Sequence, residues 1–436
     1  MIFGFKQLIK MLYNKYVEQN SGELEATEND ANAYRDITKE NIIAIMSKSI
    51  ATLALSDSTV TIDGENERAM FLNNILQRHF KKRKRIVSDA LGIGMIASIP
   101  RVENTPFGAK IYIDTVAKDN VFITGTRGDE ITQVTTVSEF KEINSVRYLR
   151  FTDYALENGN YVIRQKAARN NSPYPIGDIE FWADIPEEIH ISGVDRLPIG
   201  IFKCPASNRF PNNTGGVPIT YGCRATLDKI ADTLEKIEKE YAKKQTKVFA
   251  DVTLLDKNNK IDKDLFISTN GGGLDSTFYQ VYSPEIRSSA YFDKLTQHMA
   301  LLEKQVGVSR GILTDMQTQG ATATEIRRSM YQTFALCDDI QENFEQYISD
   351  LIYGINVLAD CYNITAKGEY DIKYDWNYAL MEDPEQTFNQ MLQAEGVGAV
   401  SKAEIRSFVT SEDLKTAEEA VKKIEEEEPK AAGGMW

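Results

Sequence analysis

Apolar residues change their spacing several times along this chain, and each change predicts a different element. Near the start, Phe5, Leu8, Leu12 and Tyr16 recur at helical intervals. Lys6 and Lys10 interrupt that stretch and no small-residue cleavage site follows. A short helix docked on its own protein or a neighbour is therefore expected, with a membrane-surface helix as the alternative. Residues 18–36 are polar and acidic and read as a loop. Residues 37–57 and 65–92 read as helices. From about 95 to 205 apolar and polar residues alternate, β-branched and aromatic types dominate, and Gly, Asn and Asp fall between the runs. That pattern is a meander of strands and hairpins. FKCPASNRFPNNTGGVPITYG, rich in Pro, Asn and Gly, reads as an irregular loop.

Downstream the spacing is helical again. Over 224–247, Leu227, Ile230, Leu234, Ile237 and Tyr241 form one narrow apolar seam on a charged helix. Asp232, Glu235 and Glu240 precede Lys236, Lys239 and Lys244 by four residues, the favourable order for ion pairs. Residues 248–282 return to short strands. A helix over about 286–306 follows, with Tyr291, Leu295, His298, Leu302 and Val306 on one face. Two helices thus flank a small β module and must run back alongside each other. The polar segment GVSRGILTDMQTQGATATEIRR leads into a helix reaching about 361. At about 1.5 Å per residue it would be roughly 57 Å long, so a kink is expected near Gly354. YNITAKGEYDIKYDW reads as a strand pair, and the remainder as two or three short helices with a frayed end. The fold class is α+β.

Charge and chemistry narrow the reading. The 436 residues carry 64 acidic and 50 basic side chains, a formal charge of −14, which argues against a protein that coats nucleic acid over its whole surface. No apolar run spans a membrane. Cys204, Cys223, Cys337 and Cys361 lie far apart, so neither a disulfide framework nor a zinc knuckle is expected. There is no phosphate loop, no zinc-protease motif and no serine elbow; His79, His190 and His298 are isolated. Gly92-Ile-Gly94-Met-Ile-Ala97 matches a loose dinucleotide pattern, but follows a helix where a strand is required. The Glu425–Glu428 cluster reads as a solvated tail. No cofactor and no metal are expected, and the enzyme class has no residue to stand on. Lys81, Lys82, Arg83, Lys84 and Arg85 form a basic run. It reads either as a patch for phosphate or an acidic partner, or as a solvated helix end with its stems on apolar surface.

The order helix, β insertion, helix, polar loop, long helix over 224–361 resembles the portal proteins of tailed bacteriophages, of the type found in long-tailed phages of Gram-positive bacteria. YRDITKENIIAIMSKSIATLALSDSTVTIDG is similar to that family's opening helix and first strand, and RYLRFTDYALENGNYVIRQKA to a hairpin of its wing. The most specific match is FYQVYSPEIRSSAYFDKLTQHMALLEKQVGVSRG followed by GATATEIRRSMYQTFALCDDIQENFEQYISDLI, with Ala323-Thr324-Glu325-Ile326 opening the long helix. YDIKYDWNYALMEDPEQTFNQMLQAEGVGAVSKAEIRSFV is similar to the last strand and first crown helix. The matches run from about 34 to 428.

The resemblance implies a ring, usually of twelve subunits, around a DNA channel at one capsid vertex. By analogy residues 1–223 and 362–384 form the wing, 224–246 and 286–306 the stem, 247–285 the clip, 307–321 the tunnel loop, 322–361 the long wing or channel helix and 385–436 a small crown. Expected partners are further copies of the chain, double-stranded DNA, the large terminase subunit, a head–tail adaptor, and the major capsid and scaffolding proteins, with no membrane. The expected location is the virion, with host cytoplasm during assembly. A mostly acidic channel would repel the DNA backbone and let it slide. Transient phosphate contacts are then expected from Arg310, Gln317, Thr318 and Gln319 in the loop, and from Lys243, Lys244 and Lys247 near the clip. Against these stand stem-surface ion pairs for the lysines and an ordinary exposed turn for the loop. Another ring-forming head–tail protein and a DNA-processing enzyme remain as alternatives.

Overall fold

The structure, a computed structural model, describes residues 31–56, 58–106, 108–117, 120–170, 172–209, 215–243, 247–251, 266–269, 279–282, 288–315, 323–376, 384–410 and 412–427. The expected N-terminal helix, with Phe5, Leu8, Leu12 and Tyr16, and the C-terminal end lie outside these residues. The chain divides into two units, residues 1–317 with 329–374, and residues 318–328 with 375–436.

The first unit opens with helix α1 (Ala31–Ala54), strand β1 (Thr59–Asp63), helix α2 (Glu67–Phe80) and helix α3 (Arg83–Ile93). Met46, Ile50 and Ala51 form the inner face of α1. Asn66 starts α2, its side-chain carbonyl accepting from the Ala69 amide at 2.9 Å. The single helix expected over 65–92 is in fact two, broken at Lys81 and Lys82. The apolar spacing stays in phase across the break, with Leu72, Leu76 and Phe80 before it and Ile86, Val87 and Ala90 after it, all buried. The break falls inside the basic run, where the Lys82 amide donates to the His79 carbonyl at 2.9 Å in a tighter turn.

The alternating region forms two sheets. Strands β2 (Met95–Thr105) and β3 (Gly108–Ala117) pair, with β10 (Gly200–Lys203) on the other edge of β2. Strands β4 (Val121–Arg127), β5 (Glu130–Ile143), β6 (Val146–Glu157), β7 (Asn160–Arg169) and β8 (Ser172–Tyr174) form an antiparallel meander, and β9 (Glu188–Ser192) pairs with β7. Met95, Ala97 and Ile99 of β2 share a core with Val134, Tyr154 and Tyr161 of the larger sheet, so alternate residues of both sheets are inward.

Helix α4 (Arg224–Lys243) leads to strands β11 (Lys247–Asp251), β12 (Phe266–Thr269) and β13 (Tyr279–Tyr282), a small sheet with β11 in the middle, parallel to β12 and antiparallel to β13. Helix α5 (Ser288–Val306) returns, and α6 (Ala323–Cys361) follows. The turns of α6 continue through Gly354. That glycine is a packing residue: a Cβ there would lie 2.3 Å from the Pro198 carbonyl oxygen. The strand pair expected over 362–376 is corrected to one strand, β14 (Asp371–Asp375), which pairs with β1 instead. The preceding segment is occupied otherwise, because the carbonyls of Thr365 and Ala366 accept from the Arg68 guanidinium.

In the second unit lie α7 (Pro384–Gly396), α8 (Lys402–Thr410) and α9 (Leu414–Glu427), three short helices where two or three were expected. Ser401 and Glu404 cap α8 reciprocally: Glu404 accepts from the Ser401 amide at 2.7 Å, and Ser401 Oγ from the Glu404 amide at 3.2 Å.

Candidate nucleic-acid interface

The seam on α4 packs against two helices. Thr226 Oγ1 donates to Gln305 Oε1 at 2.8 Å, which sets the start of α4 beside the end of α5 and makes the pair antiparallel. At this end Leu227, Ile230 and Leu302 are buried. Towards the other end Ile237 and Leu295 are still buried, while Tyr241 and Phe292 are both 47% exposed. Helix α1 grips α4 by charge: Arg35 meets Asp232 at 3.1 Å and Glu235 at 2.8 Å, and Lys39 meets Asp228 at 3.0 Å. Of the pairs expected within α4, Glu235–Lys239 forms. Asp232 is a correction, because it turns to Arg35 of another helix, a partner with five donors in a rigid fork. Hydrogen bonds from Lys239 and Arg35 lower the Glu235 pKa.

The end of α5 carries a more specific arrangement. Gly307, with φ of +88°, turns the chain out of the helix, and Val308 and Ser309 are buried. The Ser309 amide donates to Thr333 Oγ1 of α6 at 2.8 Å. Glu303, 1% exposed, faces the departing loop. Its Oε1 accepts from the backbone amides of Ile312, Leu313 and Thr314 at 3.1, 2.7 and 3.1 Å. Its Oε2 accepts from Thr314 Oγ1 at 2.7 Å. A buried carboxylate is tolerated only when its lone pairs are filled, and here the loop backbone fills them.

Arg310 lies between these anchors, exposed, with no hydrogen-bond or ion-pair partner among the described residues. Gln317, Thr318 and Gln319 lie outside the described residues, as does Lys244. Lys243 ends α4, and Lys247 opens β11 opposite Tyr282. The structure thus puts Lys243 and Lys247 at the junction of α4 with the small sheet, and Arg310 beyond the other end of the helix pair.

The basic run is not uniform. Arg83 lies over the Phe80 ring at 4.4 Å and donates to Ser58 Oγ at 3.3 Å, so it packs. Arg85 meets Asp89 at 3.6 Å. Lys81 and Lys82 are exposed and Lys84 is half-buried. Lys82 and Arg85 line a cleft of about 490 Å³ that Glu40 and Asp89 also line, so opposite charges balance there.

The remaining candidates do not converge. Gly94, with φ of +110°, ends α3 and its carbonyl accepts from the Cys204 amide at 2.9 Å, so the glycine pair closes a helix and opens none. His79 is buried against the Tyr347 hydroxyl at 2.6 Å. His298 is half-buried, and burial with nearby Lys294 and Lys229 lowers its pKa. Cys204, Cys223 and Cys337 are buried free thiols, and Cys361 is an exposed one. Among the described residues no cluster of His, Cys, Asp or Glu could hold a metal, and no helix is long and apolar enough to cross a membrane.

No family model matches the chain, and no curated protein matches it. Sequence reasoning missed Glu303. In a chain with 64 acidic residues, one glutamate near a helix end carries no pattern of its own.

Proposed function

We propose that the chain is a phage portal protein, a ring around a DNA channel at one capsid vertex. The carrying observation is the antiparallel pair α4 and α5, buried at its root and exposed at Tyr241 and Phe292, with a three-stranded sheet inserted between the two helices. A helix pair with apolar side chains left uncovered far from its root gains stability beside copies of itself, through a head-to-tail interface that closes. In this reading α4 and α5 are the stem and β11–β13 the clip, where terminase and the head–tail adaptor dock. Residues 307–321 are the tunnel loop, α6 the channel helix and α7–α9 the crown. Capsid and scaffolding proteins surround the ring in the virion. The chain has no chemistry of its own, and twelve copies at −14 each give a wall along which DNA slides.

Electron microscopy of the purified protein tests this. A ring with a central hole is expected, and particles without rotational symmetry at micromolar concentration overturn the reading.

A further inference from the structure

We propose that Glu303 is a positioning residue that presents the Arg310 guanidinium to the phosphodiester backbone of duplex DNA. The inference rests on the portal reading and divides the loop into a fixed root and the segment beyond it.

Arg310 sits between two anchors. On its N-terminal side the chain is held by buried Val308 and by the Ser309 amide on Thr333. On its C-terminal side three successive amides and one hydroxyl converge on the Glu303 carboxylate. Only Arg310 and Gly311 lie between the anchors, and Gly311 has φ of +115°, a conformation open to glycine and strained for other residues. The turn is therefore fixed in the isolated chain.

The Arg310 side chain meets no carboxylate among the described residues, a state it shares with the exposed Arg78, Arg209 and Arg224, whereas Arg35, Arg101, Arg127, Arg147, Arg164 and Arg196 each pair with one. What sets Arg310 apart is the anchored turn that carries it. Glu303 is committed to the turn's amides and the Thr314 hydroxyl and makes no ion pair with Arg310. A cation carried on an anchored turn and left unpaired suits an anion that arrives from outside, because the ordering entropy of the turn's backbone is lost on folding and not again on contact. Guanidinium and phosphate match in geometry.

The test uses purified rings of the full chain: wild type, Glu303→Ala, Glu303→Gln, Arg310→Gln and the double variant Glu303→Ala/Arg310→Gln. Hydrogen exchange reads the amides of 312–314, and fluorescence anisotropy reads association with a short DNA duplex across a salt series. In Arg310→Gln the slope of log affinity against log salt should fall by about one per engaged contact. Glu303→Ala should lose amide protection and show the same fall, with no further fall in the double variant, as for two residues acting as one unit. Glu303→Gln keeps one carbonyl acceptor and should keep most of both signals.

A Glu303→Ala ring that loses amide protection but keeps the wild-type slope overturns the proposal. So does a double variant whose losses add. If Arg310→Gln fails to form rings that the wild type forms, Arg310 meets a carboxylate of the next copy and the proposal falls. Wild-type protein that forms no ring overturns the portal reading, and the proposal with it.

Discussion

Arg68 Nη2 donates to Asp360 Oδ1 at 2.7 Å, with the arginine side chain 1% exposed. Four further bonds, to the Asn356 carbonyl and side chain and to the carbonyls of Thr365 and Ala366, complete its donors. The guanidinium thereby ties the last turns of α6 to the segment that follows, whose backbone amides cap the carbonyls of Leu358, Ala359 and Asp360. Arg68→Leu should cost about 3–5 kcal/mol, because it strands buried acceptors and one carboxylate. Urea unfolding monitored by circular dichroism measures this, and Arg68→Lys should recover only part of the loss.

His79 gives the protein an acid-sensitive core. Burial lowers its pKa to about 4, with Lys82 adding to the shift. In the unfolded chain the imidazole titrates near 6.5, so the unfolded state binds the proton first as pH falls. Stability should drop between about pH 6.5 and pH 4, by about 3 kcal/mol from this group. Carboxylates with lowered pKa, such as Glu139 and Glu157, add their own loss at lower pH. The Tm of His79→Phe should change less than that of the wild type over the same interval, and equal changes would refute this role for His79.

Loop deletions should separate sharply by their boundary. Removal of 311–320 takes out 312–314, whose donors hold the buried Glu303 carboxylate. That deletion should lower Tm by several degrees, whereas removal of 316–320 should leave Tm and rings intact and impair DNA packaging or retention. Calorimetry and a packaging assay check the two outcomes.

Gly354→Ala probes the contact beneath α6. The added methyl would lie 2.3 Å from the Pro198 carbonyl oxygen, so helix or loop must shift. A loss of about 1–3 kcal/mol is expected despite the better helix propensity of alanine, read by chemical denaturation.

Much of this architecture was legible along the chain, because burial imposes period on residues that face a core. The helix seam from Leu227 to Ile237 and the alternation through β5 to β7 appear where expected. The break at Lys81 and Lys82 was not legible, since its apolar spacing keeps phase and it contains neither Gly nor Pro. Pairing of β14 with β1 was hidden for another reason: nothing in DIKYD names a partner, and a nearby hairpin is the cheaper guess. At the site, Arg310 could be picked out by charge and position, but Glu303 could not. Its role depends on which backbone amides reach it in three dimensions.

The partnership of β1 with β14 also sets a timetable for synthesis. Thr59–Asp63 leaves the ribosome some three hundred residues before Asp371–Asp375 exists. At cellular translation speeds that is on the order of tens of seconds with one strand edge uncapped. Arg68 waits nearly as long for Asp360. The nascent chain thus cannot complete its first unit co-translationally until almost all of it has emerged, and a chaperone that shields early β segments should raise its yield.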